Sequence, residues 1–280
     1  MIVGDLAPSK LGNLACLHTI NPKVNILLQS LSKIKKMSAE MLAQQRVAAH
    51  EISETTPVSL TTNLQRFCDS LGGEAPSFVP VVDDPHGLFG WCSDGVEEKI
   101  KSDGGKIVFG WTIWEWPNVL WTAEFHAIWR SPTDELIDIT PKPNLEKQIL
   151  FVVDRRYSET FNFDQRPGNI RQRAYTPPDA EKLAIERIAT LKPSQATYEQ
   201  RRADKAGMSL EQWFQHKAPK DTLAPKIDAF ISACDAHEEY FDKLGVSGEI
   251  QMNPKLETLL RSRMTTQMAL MRELGKRTDS

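Results

Sequence analysis

Three side chains of this sequence have the chemical types that a thiol enzyme needs: Cys92, His126 and Asp138. A thiol becomes a good nucleophile when it loses its proton, and both a helix N-terminus and a neighbouring imidazolium favour that loss. Cys92 stands at the head of a segment with a helical pattern. The histidine and the aspartate lie on two consecutive segments with a strand pattern. The order of types along the chain therefore indicates thiol chemistry.

The spacing of the strands predicts that His126 and Asp138 face each other. A turn at residues 131–133 pairs Arg130 with Asp134, and counting back along both strands pairs His126 with Asp138. Both residues are an even number of positions from the turn, so both side chains point to one face of the sheet. Opposed Cβ atoms in such a pair are about 4.5–5.5 Å apart, which allows a hydrogen bond from the imidazole to the carboxylate.

Residues 90–141 resemble the transglutaminase-like branch of papain-like thiol enzymes. The likeness rests on Cys92 at a helix start, on His126-Ala127-Ile128-Trp129, and on Leu136-Ile137-Asp138-Ile139-Thr140-Pro141 with its Asp-x-Thr-Pro ending. The resemblance implies that Cys92 is the nucleophile, that His126 is the general base and acid, and that Asp138 orients the imidazole. The backbone N–H of Cys92 is the candidate oxyanion donor. His86 stands where papain-like enzymes carry a glutamine donor.

These residues predict acyl transfer from a carboxamide or peptide bond through a thioester on Cys92. Water resolves the thioester in a protease or deamidase, and an amine resolves it in a transglutaminase. The expected partner is a protein or peptide substrate, with no cofactor and no metal. The sequence does not choose between the two outcomes.

Two other interpretations stay open. Glu124, His126 and Asp138 could form a facial metal triad, because alternate residues of a strand share a face. Alternatively, the chain is a binding module in which Cys92 is unreactive and buried. Cys234 and His237 span one helical turn and could hold a metal, but a single pair is more typical of a core helix.

The elements around these residues indicate an α+β fold. Six of the seven tryptophans lie between Trp91 and Trp129, where β-branched and aromatic residues predict strands. Short links favour an antiparallel meander packed on the helix that bears Cys92, with flanking helices. We expect the tryptophans to line the core and, at four positions, to bind substrate: Trp91, Trp111, Trp114 and Trp129.

The pattern divides the chain into an N-terminal helical extension over 1–60, the α+β core over 61–175, and a helical region over 176–280. The last helix opens at Asn253-Pro254 and is predicted to align six apolar residues on one face, as core or as a homodimer surface: Leu256, Leu260, Met264, Met268, Met271 and Leu274. Five arginines between residues 155 and 173 form either a solvated basic loop or an anion site.

Composition is that of a globular domain, with 40% hydrophobic and 25% charged residues. The net charge of −3 gives no reason to expect nucleic acid as a partner. No apolar run approaches the ~18 residues of a membrane span, and no secretory signal is visible. The four cysteines are widely spaced, which argues against a disulfide framework and favours a cytoplasmic setting.

Overall fold

The computed structural model describes residues 54–142, 144–244 and 253–278. The helical extension predicted over residues 1–60 lies outside the described residues except for 54–60, which form no helix. The α+β prediction is confirmed: the described residues form an antiparallel sheet and seven α-helices.

Of the described residues, the first part contains two α-helices and all six strands, and the second part is helical. In chain order they are α1 (Thr62–Ser70), β1 (Ser77–Pro80), α2 (Cys92–Asp103), β2 (Lys106–Trp116), β3 (Leu120–Arg130), β4 (Leu136–Ile137), β5 (Gln148–Val153), a 3-10 turn (Phe163–Gln165), β6 (Ile170–Arg173), α3 (Ala180–Ala189), α4 (Pro193–Lys205), α5 (Leu210–Lys217), α6 (Ala224–Leu244) and α7 (Pro254–Thr278).

The strand order is β1-β5-β2-β3-β4, with β6 also paired to β3. The predicted meander is therefore right only for β2, β3 and β4, because β5 crosses to the far side of β2. Five of the six residues of β5 are buried, so it is stable only with a strand on each side and cover on both faces. In contrast, β4 is two residues long and partly exposed, and it can serve as an edge.

The outer edge of β3 is shared by two short strands. β6 pairs with residues 120–123, and β4 pairs with Trp129 and Arg130. Among the described strands, none pairs with this edge at residues 124–128. The gap lies beside His126.

The residues that follow β1 and β4, the two strands at the ends of the strand order, are joined by backbone hydrogen bonds. Val81, just after β1, forms a parallel bridge with Asp138, just after β4. The Val82 N–H donates to the Asp138 carbonyl at 2.9 Å, and the Asp138 N–H donates to the Pro80 carbonyl at 2.9 Å. Asp138 is thus held by backbone bonds that come from the opposite end of the sheet.

Each face of β3 packs against a different set of residues. Phe125, Ala127 and Trp129 join a core cluster that includes Val96 and Cys92 of α2 and side chains of α1. On the other face Ile128 packs with residues of β1 and β5, which form a second cluster. His126 shares the parity of Ile128. The α2 helix and the imidazole therefore belong to different faces at this point of the strand.

The C-terminal helices form two groups. In α6 and α7, Ile227, Phe230 and Leu270 pack on Val119 and Leu120 at the end of the sheet. The helices α3, α4 and α5 contact chiefly one another, and they surround a cavity of about 580 Å³. Of the apolar face predicted for α7, Leu256 is buried, whereas Met264, Met268 and Met271 are exposed and are therefore not core residues.

Candidate active site

His126 and Asp138 are in contact, as the sequence predicts. The His126 Nε2–H donates to Asp138 Oδ2 at 3.0 Å, and both side chains are buried. The predicted register is wrong by two residues, however, because Arg130 pairs with Leu136 rather than with Asp134. The turn extends to Glu135, with Asp134 in the left-handed region at a φ of 71° and the Ser131 N–H bonded to the Glu135 carbonyl. Because the register shifts by an even number of residues, both side chains stay on the same face of the sheet. His126 and Asp138 are therefore diagonal neighbours rather than directly opposed ones.

The Asp138 carboxylate has no exposed surface and accepts three hydrogen bonds. Besides the imidazole, it accepts from the Thr140 N–H at 2.8 Å and from Lys142 Nζ at 2.6 Å. Burial alone raises the pKa of a carboxyl group, but the charges of Lys142 and His126 outweigh it and hold the pKa of Asp138 well below its usual range. Asp138 is therefore a carboxylate at any ordinary pH.

Opposing influences act on the His126 imidazole. Burial and the nearby Lys142 ammonium disfavour its protonated form, whereas the negative charges of Asp138 and of an ionised Cys92 favour it. The favourable charges win and raise the pKa of His126 to about 9. With Nε2 turned to Asp138, Nδ1 is the ring nitrogen left to face a reacting group.

Cys92 is the first residue of α2 and is only 4% exposed. The N–H groups of the first turn of a helix have no partner within the helix, so they favour a negative charge at this end. Gly95 lets the preceding loop come close, since a Cβ there would lie 2.6 Å from the His86 carbonyl oxygen. The helix start is thus fixed by packing.

No described contact joins Cys92 to His126. The one hydrogen bond that the His126 ring donates among the described residues goes from Nε2 to Asp138, and Lys142 Nζ lies 3.3 Å from the same nitrogen. The thiol belongs to the cluster on one face of β3 and the imidazole points to the other.

Two cations bear on this site: Lys142, which the sequence analysis did not single out, and Arg166, one of the five arginines between residues 155 and 173. Lys142 is 3% exposed, and its Nζ lies 3.3 Å from His126 Nε2 as well as against Asp138. Arg166 follows the 3-10 turn, and its charge interacts with Cys92 and with Glu124. A lysine four residues after the predicted aspartate was a visible signal for Lys142, but its burial was not.

Two of the four tryptophans predicted to bind substrate are core residues. Trp111 is 2% exposed and its indole N–H donates to Asp154 at 3.1 Å. The Trp129 indole N–H donates to the Gly104 carbonyl on the α2 side of β3. Trp114 lies on the face of His126, with Lys142 Nζ 5.9 Å from its ring centre. Trp91 directly precedes Cys92.

The geometry does not favour the metal triad. Glu124 accepts a hydrogen bond from the Trp114 indole at 2.7 Å, and Asp138 is already neutralised by Lys142. Across the three described ranges, no group of three His, Cys, Asp or Glu side chains is arranged to hold a metal ion. Cys234 and His237 are both buried on the core side of α6, and burial lowers the pKa of His237 to about 4.

The other candidates take structural positions. His86 turns to Ser102 near the C-terminal end of α2, with Ser102 Oγ 3.2 Å from its Nε2, so it is not an oxyanion donor. Four of the five arginines between 155 and 173 form ion pairs with acidic residues, which argues against a shared anion site: Arg155 with Glu74, Arg156 with Asp154, Arg171 with Asp235 and Glu238, and Arg173 with Asp228.

No protein-family model, curated protein or solved structure matches this chain. Of the described helices, none combines the length and the apolar character that crossing a membrane requires.

Proposed function

We propose that the protein is a cysteine-dependent acyl-transfer enzyme with Cys92 as nucleophile, His126 as general acid and base, and Asp138 as the carboxylate that fixes the imidazole. The observation that carries the proposal is the buried His126–Asp138 pair, in which Nε2 donates to the carboxylate, together with the position of Cys92 at a helix N-terminus. The resemblance of residues 90–141 to the transglutaminase-like branch of papain-like enzymes supports the same assignment.

In the proposed reaction, the Cys92 thiolate forms a bond to the carbonyl carbon of an amide. The C–N bond breaks, the imidazolium of His126 gives its proton to the departing amine, and a thioester remains on Cys92. Water or a second amine then attacks the thioester while His126 takes up one proton. The C–S bond breaks and the thiolate–imidazolium pair is restored.

The arrangement of charges suits this chemistry. The backbone N–H groups at the start of α2 favour a negative charge on the sulfur of Cys92, and the positive charge of Arg166 interacts favourably with a thiolate there. The Cys92 N–H is also the candidate donor to the oxyanion of the tetrahedral intermediate.

Alkylation of the cysteines as a function of pH tests the proposal. Cys68 and Cys234 are internal controls, because burial raises the pKa of Cys68 to about 12 and also raises that of Cys234. At pH 6 we expect iodoacetamide to modify Cys92 at least tenfold faster than either control, and His126→Gln to abolish the difference. Mass spectrometry of peptides locates the label. Equal rates for the three thiols would contradict the proposal.

A binding module remains the second candidate, and two observations favour it. Cys92 is 4% exposed, and among the described residues no hydrogen bond joins it to His126. A panel of fluorogenic amide and amine-acceptor substrates separates the two functions. Turnover that disappears in Cys92→Ser identifies the enzyme, whereas a tightly held peptide that is never converted identifies the binding module.

A further inference from the structure

We propose that Lys142 is a positioning residue of this site, whose ammonium permanently balances Asp138 so that the proton on His126 is left to balance the thiolate of Cys92. The inference rests on the proposed function. It assigns a role to a residue outside the triad.

The contacts of Lys142 are specific. Its side chain is 4% exposed, and Nζ lies 2.6 Å from Asp138 Oδ2 and 3.3 Å from His126 Nε2. A buried lysine costs several kcal/mol in desolvation unless it is paired. An ordinary structural ion pair would not place its ammonium next to an imidazole that is itself cationic. Burying the Lys142 ammonium beside this imidazole is therefore unfavourable unless the additional positive charge stabilises a further negative charge.

A count of the charges indicates which negative charge the Lys142 ammonium allows the site to hold. Without Lys142, one imidazolium would balance one carboxylate, and an ionised Cys92 would leave an uncompensated negative charge in a buried site. With Lys142, two cations face two anions. Arg166 also interacts with Cys92, but it does not replace Lys142, because its charge is shared with Asp242, Glu124 and Asp164. The groups whose charges govern His126 are then Asp138 and Lys142 on one side and Cys92 of α2 on the other.

Lys142 also limits how tightly His126 holds its proton. Its charge opposes the imidazolium, whereas Asp138 and Cys92 favour it. If the lysine is removed, the imidazole binds its proton more strongly and delivers it less readily to a leaving amine. Loss of the lysine charge should therefore have two measurable effects, a lower reactivity of the Cys92 thiol and a higher pKa of the His126 imidazole.

Lys142→Met, Lys142→Gln and Lys142→Arg test the inference, with Lys147→Met on the exposed segment after it as the matched control. We expect Lys142→Met and Lys142→Gln to slow iodoacetamide alkylation of Cys92 at pH 6 about tenfold. The NMR titration midpoint of His126 should move upward in both. Lys142→Arg and Lys147→Met should leave the rate within about twofold of the wild type, because the positive charge at the site is kept.

The other results decide against the inference. Unchanged alkylation and an unchanged midpoint in Lys142→Gln would overturn it, as would an equal loss in Lys142→Arg and Lys142→Gln, which indicates packing alone. If Lys142→Met does not fold, the Arg and Gln pair still decides. A wild-type Cys92 that is unreactive at pH 6 refutes the proposed enzyme, while the His126 midpoint still reports on Lys142.

Discussion

At the scale of single residues, the site is defined by an imidazole between a carboxylate and an ammonium. The direction of the His126 shift depends on which neighbour dominates, and Asp138 together with Cys92 outweighs burial and Lys142. A buried histidine without such partners shifts the other way, as His237 does. The two histidines are therefore expected to titrate about five pH units apart, at about 9 and about 4.

Replacing Asp138 with asparagine should reverse the shift at His126. The substitution removes the negative charge of Asp138 and leaves burial and Lys142, which together outweigh the favourable charge that remains, that of an ionised Cys92. We expect the His126 titration midpoint to fall from about 9 to below the ordinary histidine value of about 6.5. The ring 1H–13C signals followed against pH measure it, with His126→Gln to assign the resonance. A midpoint that stays near 9 would show that Asp138 is not the dominant partner.

The same pKa shift sets a dependence of stability on pH. Because the folded pKa of His126 lies above the unfolded value, its contribution to the free energy of unfolding is fully present below pH 6.5 and is lost as the pH rises through about 9. For Asp138, whose folded pKa is depressed, the contribution is present above the unfolded value and is lost only in acid. Both contributions are fully present only between the unfolded pKa of an aspartate, about 3.9, and about pH 6.5, so the cluster is most stabilising in mildly acidic solution and less so as the pH rises toward 9.

At the scale of elements, the buried guanidinium of Arg171 ties β6 to α6. Its side chain is 3% exposed and pairs with Asp235 at 2.7 Å and with Glu238. Removing one partner of a buried pair leaves uncompensated charge, so Arg171→Ala should lower the free energy of unfolding by about 3 kcal/mol. Urea unfolding measures it.

Arg173 is the matched control for Arg171. It lies two residues further along the same strand and pairs with Asp228 of α6 at 2.6 Å, but both side chains are substantially exposed. Exposed pairs contribute little, so Arg173→Ala should cost less than about 1 kcal/mol. A similar decrease in the free energy of unfolding for the two variants would mean that the burial of Arg171 does not contribute to the contact between β6 and α6.

The elements that the sequence predicted well are those with a strong local signal. After its first residue, β5 (Gln148–Val153) is one continuous apolar run, and α2 is followed by two glycines, which are typical of a helix end. β1 and β6 carry no comparable local signal, since each is four residues long and acquires its structure from pairing with a distant strand. β6 reads Ile-Arg-Gln-Arg, and the burial of its Arg171 side chain depends on acidic residues of α6 some 60 positions away.

The site shows the same division. Face parity along a strand is local, so His126 and Asp138 could be placed on one side from the sequence. The register required the true length of the turn, and the burial of Lys142 required the bridge between Val81 and Asp138. The relation of Cys92 to the imidazole depends on the packing of α2 and on the gap in the pairing of β3. Neither the packing of α2 nor the gap in the pairing of β3 can be predicted from a periodic pattern in the sequence.

At the scale of the whole molecule, the candidate site and the helices α3 to α5 are built as separate units. These helices contact chiefly one another, and they bury little: Ala184, Ala203 and Phe214 are buried, while Leu183, Ile185 and Tyr198 are exposed. Such a thin core next to a cavity of about 580 Å³ supplies limited stabilisation. We therefore expect this unit to open without unfolding the sheet.

Phe214→Ala tests this independence. Phe214 is 9% exposed and lines the cavity between the three helices, so its truncation should destabilise the unit by about 3 kcal/mol. Hydrogen exchange followed by mass spectrometry should show lost protection in peptides from 180–219 and unchanged protection in β2, β3 and β5. Tyr198→Ala, at a position 59% exposed, is the control and should change neither region.

Because none of these helices reaches Cys92 or His126 through a described contact, the alkylation rate of Cys92 should be the same in both variants as in the wild type. A fall in that rate with Phe214→Ala would show instead that the helices and the sheet unfold as one unit.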